Sequence, residues 1–216
     1  MPQPIVIAHH LIWTAYGYWL PNDPRGSMSK TIASDVIAEL GEIHYGRRVV
    51  QPASRDIREF RERAKEVLKH PLLNFPVTLF DVIAEAFAEV IETERYTCWA
   101  CAVMPDHAHV LIRKHKHQAE EMIANLQDAS RSRLRDSGAR AADHPVWGGP
   151  GWKVFIDHPT LVRRTIRYID DNPPKWRLPR QNWPFVKPYD GWPLHPGHNP
   201  NSPYARRLRE CGRYPE

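Results

Sequence analysis

Runs of apolar and polar residues along the chain predict four strands interleaved with helices. A first strand is predicted over residues 5–16 (IVIAHHLIWTAY), followed by a turn-rich loop at 20–27 (LPNDPRGS). Helical stretches are predicted near 34–45 and 54–69, the second mixing Arg and Glu on several faces. A clearer amphipathic helix spans 78–94, with Phe80, Ile83, Ala84, Phe87 and Ile91 as its apolar stripe. Strands follow at 95–104 and 107–113, then a helix near 117–136, a Gly/Pro loop at 147–151 and a strand at 152–157. The last helix covers 159–172: Pro159 suits its first turn, Val162, Ile166 and Ile169 form its stripe, and Asn172-Pro173 stops it. The order β-α-β-β-α-β-α predicts an α+β fold, a ferredoxin-like antiparallel sheet with helices packed on it. No internal repeat interrupts that order.

Candidate chemistry enters with the third strand. His107 and His109 stand two apart in MPDHAHVLI, and side chains at i and i+2 of a strand leave the same face, so both rings can meet one ion. Ala108, Val110 and Ile112 take the other face, so both sides of this strand should be covered. On the last helix, Tyr168 and Asn172 are i and i+4 neighbours at one edge of the apolar stripe. Two histidines, an amide oxygen and a tyrosine are what a metal-assisted attack of a phenol on a phosphodiester needs.

These residues carry a family resemblance. HAH, preceded by MPD and followed by VLI, resembles the His-hydrophobe-His signature of the HUH endonucleases, and Tyr168-Ile169-Asp170-Asp171-Asn172-Pro173 resembles the Tyr-Ile-x-x-Asn-Pro motif of single-tyrosine transposases. The likeness is greatest to the REP-associated tyrosine transposases, relatives of the IS200-type insertion-sequence transposases. His10-Leu11-Ile12-Trp13-Thr14-Ala15-Tyr16-Gly17 is similar to that family's first strand, and Trp152-Lys153-Val154-Phe155 to the strand before its tyrosine helix. The resemblance implies the HUH endonuclease fold. It also implies cleavage and rejoining of single-stranded or hairpin DNA through a 5'-phosphotyrosine intermediate, with Mg2+ or Mn2+ as cofactor. Carried over by position, Tyr168 is the nucleophile and His107, His109 and Asn172 are the metal ligands. The mobile insertion-sequence relatives usually have glutamine where Asn172 stands. Since hard cations prefer oxygen, two imidazoles should suit manganese at least as well as magnesium. Family members work as monomers or as homodimers, and both states remain open.

Composition adds direction. With 30 Lys plus Arg against 25 Asp plus Glu the net charge is +5, which permits nucleic acid without demanding it. The excess is uneven, because residues 163–187 hold seven basic and two acidic side chains, +5 around Tyr168. Arg164, Arg167, Lys175 and Arg177 are therefore candidate DNA contacts. Arg25, in the turn-rich loop, is a candidate phosphate cradle or a plain turn residue. Arg131 is a phosphate contact or a solvated helix end. The absence of a long apolar run predicts no membrane span, and three cysteines suit a reducing, cytoplasmic setting. Cys98 and Cys101 are three apart in a strand, so their sulfurs should face opposite ways as buried thiols.

The catalytic domain is expected over 1–173, with a helical insert at about 36–75. The remainder, 174–216, is an extended C-terminal tail rich in Pro, Trp and Arg. Its aromatics either stack bases or pack on the domain's own surface. Two other functions compete: a metal-dependent phosphoesterase that uses water, and a non-catalytic nucleic-acid-binding protein of the same fold. His115-Lys116-His117 repeats the HxH spacing beside Arg113-Lys114 and is expected to be solvated.

Overall fold

The alternating segments pair as their patterns require. In the computed structural model, which describes residues 6–192 apart from 33, 140 and 142, β1 (Ala8–Ala15), β2 (Cys98–Val103), β3 (His107–Arg113) and β4 (Trp147–Ile156) form one antiparallel sheet. The strand order is β2-β3-β1-β4, the ferredoxin-like arrangement. β1 and β3 stand at the centre, so each must bury two faces. Leu11, Trp13, Ala108, Val110 and Ile112 pack on one side against the buried Ile83 and Phe87 of one helix (Phe80–Thr93) and Met122 and Ile123 of another (Ala119–Asp136). Burial of this apolar area is the main stabilising term. The other side packs Ala8, Ala100, Ala102 and Leu111 against Val162 and Ile169 of the tyrosine helix (Pro159–Asp170).

In chain order the helices are α1 (Asp35–Ala38), α2 (Ser54–Val67), α3 (Phe80–Thr93), α4 (Ala119–Asp136), α5 (Pro159–Asp170) and α6 (Asn172–Lys175). α5 lies across β2 and β3, which leaves the β1–β4 part of the same sheet face for a groove. The His158 side chain caps α5 by accepting from the Thr160 amide at 3.2 Å, and Pro159 fills the first turn.

Local geometry corrects the sequence reading at several points. The helix expected near 34–45 is only the single turn of α1, because the chain passes through Gly41 at φ +125° and returns so that Tyr45 bridges Ser27. The loop expected at 147–151 is part of β4. Gly149 and Gly151 take φ of +63° and +74°, the β1 register shifts between Ile12 and Thr14, and the strand absorbs the irregularity as a bulge. A bulge at Trp99 likewise cancels the odd offset of the two thiols: Cys98 and Cys101 enter the same core, both buried and unbridged. α5 ends just ahead of Asn172-Pro173. Asp171 breaks it one residue earlier, and Pro173 then opens the extra turn α6. His117 is not solvated either: Tyr96 Oη lies 2.9 Å from its Nδ1 and Glu121 3.5 Å from its Nε2.

Past α6 the chain runs along the edge of β2. Lys187 N donates to Cys98 O at 2.8 Å, and Gln181 pairs with the Val103 amide and carbonyl at 2.8 and 2.6 Å. These bonds cover a sheet edge that would otherwise offer unpaired backbone. Tyr189 stacks edge-on against Trp99, while Trp183, Phe185 and Trp192 pack on the two cores. The described part of the tail thus places four of its five aromatics on the domain itself. Residues 193–216 lie outside the described residues.

His9 gives the fold a pH signature. It is buried beside Phe155, and burial, with Lys114 as a smaller cause, lowers its pKa from 6.5 to about 4. The unfolded chain takes up this proton near 6.5 and the folded chain near 4, so stability is lost as pH falls between them and is unaffected above. We expect wild type to lose about 2–3 kcal/mol more than His9→Gln between pH 7 and pH 4 in urea unfolding. Parallel pH curves for the two proteins would refute this.

Candidate functional site

β3 carries His107 and His109 on its α5-facing side, with ring centroids 4.8 Å apart and planes at 90°. Each ring is held through Nδ1. Asp106 Oδ1 lies 2.6 Å from Nδ1 of His107, and Nε2 of His10 lies 3.0 Å from Nδ1 of His109. His10 is opposite Leu111 in the β1–β3 register and reaches His109 diagonally. Burial lowers the His10 pKa to about 4 and holds His109 well below its ordinary value, so both imidazoles are neutral. In such a pair one ring donates its N–H and the other accepts. In the tautomer whose Nδ1–H donates, each of His107 and His109 keeps a free lone pair on Nε2, the form in which histidines hold metals.

These observations test whether the residues fit a divalent ion. Two imidazole nitrogens on one face, each ring fixed by a second hydrogen bond, do fit. Among the described residues no three His, Cys, Asp or Glu side chains are grouped to hold an ion. Asn172 is 7% exposed, and its Nδ2 donates to the Tyr168 carbonyl at 2.9 Å. That bond uses its nitrogen and leaves its oxygen as an acceptor, and Asn172 does not line the groove described below.

Tyr168 joins the histidines from α5. Its ring lies 5.6 Å from that of His109 and 6.0 Å from that of His10, both edge-on, and 47% of the residue is exposed. Lys175 Nζ stands 5.2 Å from the ring centroid. All four rings line a groove of about 720 Å³ whose sheet side is Ile12, Thr14, Trp152 and Val154. Arg25, Arg47, Arg61 and Arg164 also line it, against Asp106 as the one lining carboxylate among the described residues. Concentrated positive charge beside a phenol and two imidazoles suits a polyanion.

The sequence-predicted residues divide here. His107, His109, Tyr168, Arg25 and Arg164 come together in the groove. Arg167 and Arg177 are exposed outside its lining, and Lys175 reaches the site through the Tyr168 ring. Arg131 stands on α4, on the other side of the sheet, paired with Asp128. Sequence reasoning missed His10, Asp106, Arg47 and Arg61. His10 carries no local signal because its partner is 99 residues away. Asp106 was legible, since it adjoins His107.

Comparison with known proteins follows the same lines. Residues 61–156 match the family model described as Transposase IS200 like. No curated protein matches the chain. Among solved structures, a REP-associated tyrosine transposase bound to a REP hairpin aligns at 12% identity, covering 100% of this chain and 87% of its own, with a TM-score of 0.42. A candidate transposase from Deinococcus radiodurans R1 aligns at 12% identity over 79% of this chain and 94% of its own, with a TM-score of 0.38. The matched segment holds α3, β2, β3, α4 and β4, with both groove histidines of β3, while Tyr168 and Asn172 lie beyond it. Over that segment the chain resembles the IS200-like transposases.

Proposed function

We propose that this protein is a single-stranded DNA transposase that cuts and rejoins DNA through a covalent bond to Tyr168. One observation carries the reading: Tyr168, on α5, shares one arginine-lined groove with His107 and His109, on β3. The Tyr168 hydroxyl attacks a phosphorus atom, losing its proton to water in the open groove. The P–O3' bond breaks, the 3'-oxygen leaves and takes a proton, and the 5'-phosphate stays on the tyrosine. Rejoining reverses the exchange with another 3'-hydroxyl. His107 and His109, with Asn172 as third ligand, would hold manganese or magnesium, which when bound polarises a phosphoryl oxygen. Asp106 and His10 fix the two ring orientations. Arg164 and Lys175 supply positive field near the phenol. In this reading residues 1–173 form the catalytic unit, to which the segment that follows adds Lys175 and Trp176 at the groove.

The site residues share one groove of a single chain, which supports action in cis, by a monomer or by each subunit of a homodimer. A hairpin beside the scissile position, the element implied by the motif resemblance, would supply recognition. With manganese we expect cutting of a single-stranded or hairpin-flanked oligonucleotide at least about ten-fold faster than of perfect duplex, because direct attack by a bulky phenol favours a strand unpaired at the scissile position. Gel assays of matched substrates check this. Equal rates on duplex would point to hydrolysis by metal-bound water instead.

A further inference from the structure

The loop at 19–27 is built more rigidly than a surface turn requires. Trp19 adopts φ +56°, its indole N–H donates to Gly26 O, and the Arg25 guanidinium lies 4.5 Å over its ring. Asp23, 1% exposed, grips Arg25 through Nε at 2.9 Å and through a terminal guanidinium nitrogen at 2.6 Å. Asn22 is 2% exposed and donates to Ile37 O at 2.6 Å.

The insert is stapled to this loop. Ser27 N donates to His44 O and Gly46 N to Ser27 O, both at 2.7 Å, and Arg48 N donates to Arg25 O at 3.2 Å. At Gly26, with φ +95°, a Cβ would meet Gly46 O at 1.8 Å, so only glycine permits the approach. A satellite core of Leu20, Leu40, Phe60 and Ala64 docks α2 on the same loop. The consequence is that Arg25, Arg47 and Arg61, from three separate segments, line one groove beside the histidines and Tyr168.

We infer that this loop–insert unit is a phosphate-binding wall that holds the backbone of a single strand next to the scissile position, with Arg47 and Arg61 as its main charges. Asp23 already neutralises Arg25, whose remaining donors are held in a fixed plane. Arg47 is exposed and Arg61 half-buried, so both keep charge available to a ligand. Trp19 and Trp152 line the same space and offer ring faces to bases. A polyanion with π-faces matches this combination of guanidiniums and indoles. The helical insert is thereby part of the substrate surface.

This inference rests on the proposed reading that the substrate is single-stranded DNA. The test uses the full chain carrying Tyr168→Phe, so that binding is read without cutting, and titrates a labelled oligothymidylate of about 20 nucleotides over a range of salt. Adding Arg47→Ala and Arg61→Ala together should weaken binding roughly ten-fold near 0.1 M salt and flatten the log–log salt slope by about 1.4, two contacts at about 0.7 each. Lysine at both positions should recover most of the affinity, and manganese binding and the melting temperature should not move. Arg55→Ala, an exposed α2 residue paired with Glu59 and absent from the groove lining, should bind as the parent does. Unchanged affinity and slope in the double variant, or an equal loss in Arg55→Ala, would overturn the wall alone. A parent that binds no single strand would sink both the wall and the proposed substrate. A binding parent, with the expected losses, whose Tyr168 form never cuts would retain the wall and reject the chemistry.

Discussion

Tyr168→Phe abolishes strand cutting and covalent capture while folding, manganese binding and oligonucleotide binding stay as in wild type: this is the expected result with the largest effect. The change removes one oxygen and keeps a ring that touches His10 and His109 at its edge, so the packing of α5 is preserved. Removing a nucleophile outright should cost at least about a thousand-fold in rate. Mass spectrometry of the trapped adduct should place it on the peptide containing Tyr168. Tyr18 is the rival to exclude, because it lines the same groove. Tyr16 stacks against His70 and His144, and burial raises the Tyr189 pKa to about 12, so neither is placed to react. Tyr204 lies outside the described residues. Retained cutting by Tyr168→Phe, or an adduct on Tyr18, would end the proposed role of Tyr168.

How much of this was legible beforehand depended on how local each feature is. Period-two alternation and a 3.6-residue stripe are written into short windows, so β1, β3, α3, α4 and α5 fall within a few residues of their expected places. The i, i+2 histidines and the i, i+4 pair Tyr168 and Asn172 needed only the type of element. Features set by the approach of distant segments were invisible. Bulges at Trp99 and within β4 depend on partner strands, and they changed the facing of Cys98 and turned a predicted loop into strand. His10 becomes part of the site through the β1–β3 register alone. Arg47 and Arg61 enter the groove only because Gly26 admits the insert, a contact that no periodicity encodes.

That same register makes the histidine series informative. His107→Ala and His109→Ala each remove one of two nitrogen donors, and calorimetric manganese affinity should fall at least about a hundred-fold in either, with loss of cutting and an intact fold. His10→Ala leaves both donors in place but frees the His109 ring from its 3.0 Å partner, so manganese affinity should fall about ten-fold. His10→Asn, which keeps a hydrogen-bonding group at that position, should recover part of the loss. Asn172→Ala should weaken the ion more mildly than either ligand histidine, since water can replace an amide oxygen. The order matters more than any single value. If His10→Ala costs as much as His109→Ala, His10 is itself a ligand and the third donor is an imidazole of β1. Manganese binding unchanged in both His107→Ala and His109→Ala would remove the ion from this groove altogether.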